Sequence, residues 1–166
     1  MEKVIYRTPQ ELRQTAIRNK KETERLISLL SRKKPANLDE VVHTLHQEAF
    51  ASFDCLTCAN CCKTIGPRLT AQDIERMAKF LKMKVTDFYS QNIMADEDDD
   101  LVFASHPCPF LGPDNLCSVY EQRPKACREY PHTDRKRFYQ ILELSHKNCE
   151  TCPVVCDIMS ELAKIY

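Results

Sequence analysis

CLTCANCC, residues 55–62, is the stretch on which the reading of this chain turns. Four of its eight residues are cysteine: Cys55, Cys58, Cys61 and Cys62. On a helix, at about 100° per residue, Cys55, Cys58 and Cys62 would fall within about 60° of one another, with Cys61 about 60° beyond Cys58. In a loop, the short spacing alone keeps the sulfurs close. Crowded thiolates repel, and they stay together only if a cation neutralises them or some remain protonated. Thiolates are soft ligands that suit zinc, copper(I) and iron–sulfur clusters. The stretch therefore predicts a compact cysteine-rich domain organised around a metal ion.

The remaining six cysteines fall in two further groups, Cys108, Cys117 and Cys127, then Cys149, Cys152 and Cys156. Scattered cysteines would read as small buried hydrophobes, but grouped ones read as ligands. Cysteine makes up about 6% of the chain, below the density of small disulfide scaffolds. The opening MEKVIYRTPQELRQ has no apolar core of the secretory kind, so the expected setting is cytoplasmic, where structural disulfides are rare. No apolar run is long enough for a membrane span. Two four-thiolate sites, or one cluster and one zinc, would each use eight of the ten thiols, and the spacing does not choose between them. The C-x2-C-x2-C run echoes the opening of the bacterial ferredoxin pattern without its continuation. Neither it nor the third group has the spacing of a two-cysteine, two-histidine finger. With 24 basic and 24 acidic residues, the net charge gives no reason to expect nucleic acid or an anionic membrane as partner.

Residues near the cysteines extend the candidate site. Arg123 and Arg128 flank Cys127, where guanidinium donors would offset the negative charge of a thiolate-bound metal and hydrogen-bond to sulfur. His106 and His132 lie close in sequence to cysteines, and each is a candidate for ligation or for the same outer role. His43 and His46 share a helix face but read as ordinary surface histidines. The acidic run Asp96–Asp100 lacks the Gly and Glu of a calcium loop and reads as a solvated turn.

Helical signals dominate the rest. Residues 9–33 read as a long polar helix stopped at Lys34-Pro35. Asn37 with Glu40 marks a second start, followed by the stripe Leu38, Val41, Val42, Leu45 and Ala49. Thr70 and Asp73 open a helix burying Ile74, Met77, Ala78 and Leu81. Phe88 and Tyr89 suit a further short helix, and Val155, Ile158, Met159 and Leu162 suit a last one. Short strands are expected at 101–104 and 138–144, and a small hairpin at 109–118. The expected fold is mainly α with a small β component. Residues 1–50 would form an N-terminal helical hairpin and residues 51–166 the cysteine-cluster metal-binding domain. The hairpin reads first as a packing appendage and second as a docking surface for a protein partner.

The CxxCxxCC at 55–62, PCPFL at 107–111 and CSVYEQRPKACREYP at 117–131 together resemble the bacterial YkgJ-type cysteine-cluster family, a CxxCxxCC zinc- or iron-chelating domain. The resemblance covers residues 52–132. It implies metal chelation by Cys55, Cys58, Cys61, Cys62, Cys108, Cys117 and Cys127, with Arg123, Pro124, Arg128 and Pro131 matching the surrounding pattern. A related cysteine region occurs in flagellin lysine methylases.

The function expected from these features is cytosolic metal binding, through an iron–sulfur cluster, zinc or both. The ferredoxin-like opening and the methylase relatives place iron–sulfur ahead of zinc. The alternatives are an iron–sulfur enzyme or enzyme accessory related to protein lysine methylases, and a purely structural zinc module. Tyr120, Glu121, Glu129 and Tyr130 are the acid–base groups such an enzyme would offer. A thiol-redox role ranks last, because no βαβ pattern accompanies the C-x-x-C pairs.

Overall fold

Thr8 starts the first helix. Its hydroxyl accepts from the Glu11 amide while the Glu11 carboxylate accepts from the Thr8 amide, a reciprocal cap. In this computed structural model, which describes residues 3–166, α1 then runs Pro9–Lys33 as expected. Lys34 ends it in a left-handed conformation, φ 43°, with its amide on the Leu30 carbonyl at 2.9 Å. The fold is mainly α with one two-stranded sheet among the described residues.

The chain divides into two compact units. One unit runs through Cys55 and resumes from Pro131 to Tyr166; the other is Leu56–Tyr130.

In the first unit, α1 and α2 (Leu38–Phe50) both pack on the C-terminal helix. Asn37 precedes α2 but its side chain makes no capping bond; its Oδ1 accepts from the Tyr166 hydroxyl at 3.1 Å instead. Leu12, Leu30, Leu38, Val42, Phe138, Leu142, Val154, Ile158 and Leu162 are buried there, and this apolar burial is what holds the helices together.

The strand expected at 138–144 is not one. Residues Phe138–Ile141 form a 3-10 turn that leads into a helix over Leu142–Asn148. The Asp39 carboxylate accepts from the Arg137 and Phe138 amides at 2.6 and 2.9 Å. An anion from α2 thus satisfies the donors at the start of this helical segment. Phe138, Ile141, Leu142, Ser145 and Asn148 are its buried residues, a helical rather than an alternating spacing. The last helix spans Pro153–Ile165.

In the second unit, two short helices, α3 (Cys55–Cys58, entered from the boundary residue) and α4 (Asn60–Thr64), precede α5 (Ala71–Phe80) and α6 (Val85–Asn92). Thr70 and Asp73 form the expected capping box. Strand β1 (Ile93–Ala95) pairs antiparallel with β2 (Leu101–Phe103), Ile93 opposite Phe103. Asp96 closes the turn between them, its Oδ1 accepting from the amides of Asp98 and Asp100. The hairpin expected at 109–118 is reduced to a single bridge between Leu111 and Cys117. Met77, Phe88, Phe103 and Val119 centre the core, with Cys108, Phe110 and Cys117 packed against it. A short helix, α7 (Lys125–Glu129), closes the unit. The helix over Leu142–Asn148 is α8 and the last helix is α9. Among the described residues, no helix is long and apolar enough to cross a membrane.

Candidate metal centre

The CLTCANCC stretch does not form one helix. It breaks at Ala59, which takes a left-handed backbone at φ 50° between α3 and α4. Alanine in this conformation costs on the order of 1 kcal/mol, so its surroundings must hold the break in place. Cys58 is buried, Cys61 and Cys62 are half-buried and Cys55 is exposed. The Cys61 and Cys62 sulfurs stand 4.0 Å apart. Two sulfurs sharing a tetrahedral ion at about 2.3 Å each would be roughly 3.8 Å apart, a separation close to this one.

The other thiols reach this stretch through backbone bonds. The Cys108 amide donates to the Cys62 carbonyl at 2.8 Å. Cys117 is fixed by its bridge to Leu111. Cys127 lies on α7, whose entry is tied to α5 through Asp73. The Asp73 carboxylate accepts from the Lys125 amide at 3.0 Å and from Arg76 at 2.6 Å. Arg76 in turn donates to the Arg123 carbonyl at 3.1 Å.

The electrostatics show which thiols are neighbours. Burial pushes the Cys127 thiol up to about 12, with further upward pushes from Cys62, Cys108 and Cys117. Burial likewise raises Cys108 to about 11, with Cys62 and Cys117 adding to it. Cys117 is raised by burial and by Cys62, and Cys58 by burial chiefly. Cys62 goes the other way, to about 7, because the Cys61 thiol hydrogen-bonds to it and Lys63 stands close. Cys62, Cys108, Cys117 and Cys127, from three separated stretches of chain, therefore lie within one another's fields.

Arg123 opposes this repulsion, lowering both Cys117 and Cys127. Its guanidinium stacks 3.8 Å from the Tyr120 ring centroid and donates to the Tyr120 carbonyl. Arg128 donates instead to the Arg123 carbonyl at 2.7 Å, bracing that loop. His106 is exposed and its ring lies over Gly66, where a Cβ would come within 3.1 Å of Cε1. Of the acid–base candidates, Glu129 pairs with Lys125 at 3.5 Å, Glu121 is exposed, and Tyr120 is exposed with Arg123 stacked on its ring.

The third cysteine group sits in the other unit. Cys149, Cys152 and Cys156 are all buried. Cys149 follows α8, Cys152 is the residue that caps α9 and Cys156 lies one turn into it. The Cys149 thiol is pushed well up by its bond to Cys156 and by burial, while Cys156 is lowered by that same bond and by Arg7. His46 and His43 stack face to face in this unit. His46 Nδ1 bonds the Thr133 hydroxyl at 2.8 Å, which gives it a packing role.

Among the described residues, no group of three or more His, Cys, Asp or Glu side chains is placed to hold a metal ion. The soft donor set and its mutual repulsion fit a thiophilic cation.

A family model matches residues 54–157, well over half of the chain; its description is "CxxCxxCC: Putative zinc- or iron-chelating domain". The chain belongs to the CxxCxxCC family. The match runs past the resemblance at 52–132 and takes in Cys149, Cys152 and Cys156. The family's described chelation of zinc or iron is consistent with the expected iron–sulfur cluster or zinc. No curated protein and no solved structure matches the chain.

Three contributors lie outside the sequence expectations. Lys63, which lowers Cys62 and donates to the Cys58 carbonyl at 3.2 Å, carries its signal in its place directly after the cysteine run. Asp73 is legible as a cap but not as the anchor of Lys125. Arg7 bears no sequence signal linking it to Cys156.

Proposed function

We propose that this chain is a cytoplasmic metal-binding protein that holds an iron–sulfur cluster or zinc through clustered thiolates. Cys62, Cys108, Cys117 and Cys127 would form the heart of the centre, with Cys55, Cys58 and Cys61 supplying the remaining sulfurs of the same run. The observation that carries this reading is the convergence of four thiols from separated segments: Cys62 raises Cys108, Cys117 and Cys127, and Cys108 and Cys117 add to the rise at Cys127. Held protons or a bound cation relieve that repulsion, and a thiophilic cation does so while using all four sulfurs. The C-x2-C-x2-C run places iron–sulfur ahead of zinc.

When bound, zinc would supply structural cross-linking, and a cluster would add one-electron chemistry. The chain's own residues would contribute the rest. Arg123 offsets the net negative charge of a thiolate centre, and the core around Met77 and Phe88 excludes water from its inner side. The test is serine substitution at Cys108 and Cys117 in the full chain, followed by elemental analysis. Loss of bound metal with helix content retained at low temperature supports the reading; unchanged metal content contradicts it.

A further inference from the structure

Four cations of α1 share one side of the helix. At about 100° per residue, Arg18, Lys21, Arg25 and Arg32 fall within an arc of about 60°, and all four are exposed. Leu12, Leu26, Ile27 and Leu30 are buried on nearly the opposite side. The cations therefore face solvent while α1 is held to α8 and α9 of its own unit. The helix precedes the residues that the family model matches, so metal chelation does not account for this surface. We propose that it docks an acidic α-helical segment of a partner protein.

Charge is the first support. The helix carries seven basic and three acidic side chains. Of the acids, Glu11 is taken by the cap at Thr8, and Glu24 pairs with Lys20 at 3.8 Å, to the side of the stripe. Among the described residues, none of Arg18, Lys21, Arg25 and Arg32 forms an ion pair with a carboxylate. Arg18 and Lys21 stand three residues apart and Lys21 and Arg25 four, so like charges lie side by side, an arrangement that disfavours an isolated helix. Carboxylates brought from outside relieve that repulsion.

Spacing is the second support. From Arg18 to Arg32 the steps follow one side of a helix over about 21 Å. A partner helix has the same rise, so carboxylates at the same steps meet each cation in turn. Ile17, 74% exposed, borders the stripe on one side and half-buried Leu29 on the other. A shallow depression lined by Lys21, Glu24, Arg25, Ser28, Leu29 and Arg32 runs along it. Apolar residues flanking the partner's carboxylates would rest on Ile17 and Leu29. Other polyanions suit the surface less. Glu22 and Glu24 border the stripe; a helical partner can set lysine or a neutral residue against them, whereas a phosphate backbone cannot. No aromatic side chain on α1 offers a base a stacking surface, and its apolar side is packed in the core rather than open to a bilayer.

The experiment is fluorescence anisotropy on the full chain, purified without chelators. The probe is a labelled helical peptide whose glutamates follow the steps of the stripe along one side, flanked by leucines. The control peptide has the same composition with its glutamates spread around the helix. The stepped peptide should bind several-fold more tightly than the control, and binding should weaken as salt rises from about 50 to about 300 mM. Arg25→Gln with Arg32→Gln should weaken it about fivefold. Arg13→Gln, a cation away from the stripe, should leave it unchanged. Arg25→Glu with Arg32→Glu should lose the acidic peptide and gain a peptide with lysines at the same steps. If a double variant loses helix by circular dichroism, Lys21→Gln alone decides. Equal binding of the two peptides, no binding of the stepped peptide at low salt, or no effect of the stripe substitutions overturns the proposal. So does tighter binding of short duplex DNA or phosphatidylserine vesicles that is lost in the same variants, because the surface would then serve a different class of partner.

Discussion

The Cys108 amide donates to the Cys62 carbonyl at 2.8 Å. That bond sets the second cysteine group in register with the first, independently of either sulfur. Serine at either position keeps the backbone bond and removes only the thiolate. Cys62→Ser and Cys108→Ser should therefore each weaken metal binding by more than about 100-fold, beyond what outer partners of a metal contribute. Arg123→Gln, which removes a charge but no ligand, should cost about 10- to 100-fold. Chelator competition on the purified variants measures both, and equal effects from all three would contradict the assignment of roles.

Asp73 is the anchor that brings Cys127 toward the site. Burial alone would raise its carboxyl, but the bonds from Thr70, Arg76 and the Lys125 amide outweigh it and hold the pKa at about 2, below the ordinary 3.8. A depressed carboxyl contributes stability that is present above pH 3.8 and is lost as pH falls toward 2. The shift is worth about 2 kcal/mol. Asp73→Asn should lower stability by about that amount at pH 7 and flatten the acid limb of the stability curve, as followed by urea unfolding from neutral to acid pH.

His46 should make a separate pH signature. Burial lowers its pKa below 6.5, against the attraction of Asp134 and with a small further lowering from His43. The folded state favours the neutral ring, so its contribution is present above pH 6.5 and is lost as pH falls through the lowered value. Urea midpoints between about pH 7.5 and 5.5 should fall more steeply in wild type than in His46→Asn. Identical slopes would show that the ring is not linked to folding.

Metal binding should itself be steeply pH-dependent. With Cys127 near about 12 and Cys108 near about 11 in the metal-free protein, each ligand must give up a proton. Binding should release on the order of one proton per thiolate formed, and affinity should drop as pH falls. Titration with a pH indicator in weak buffer counts those protons; release of fewer than two would point to a site without these thiols.

Much of the helical architecture was legible because its signals are local. Thr70 and Asp73 sit three residues apart, and Leu38, Val42, Leu45 and Ala49 repeat at helical spacing. What escaped depends on contacts distant in sequence. The apolar positions of 138–144 also fit an alternating pattern, and only the Asp39 carboxylate, from another helix, shows why the segment starts as a helix. Strand β1 has three residues and no alternation to read. The grouping of the cysteines was visible, but Ala59 breaking their helix and Arg7 meeting Cys156 are results of tertiary packing.

The most direct test of the central claim is the metal content and absorption spectrum of the full chain, purified without oxygen or chelators. The account predicts bound metal: iron with acid-labile sulfide and visible colour, or colourless zinc, in at least one equivalent per chain. A folded protein with no bound metal and every thiol open to titration would contradict it.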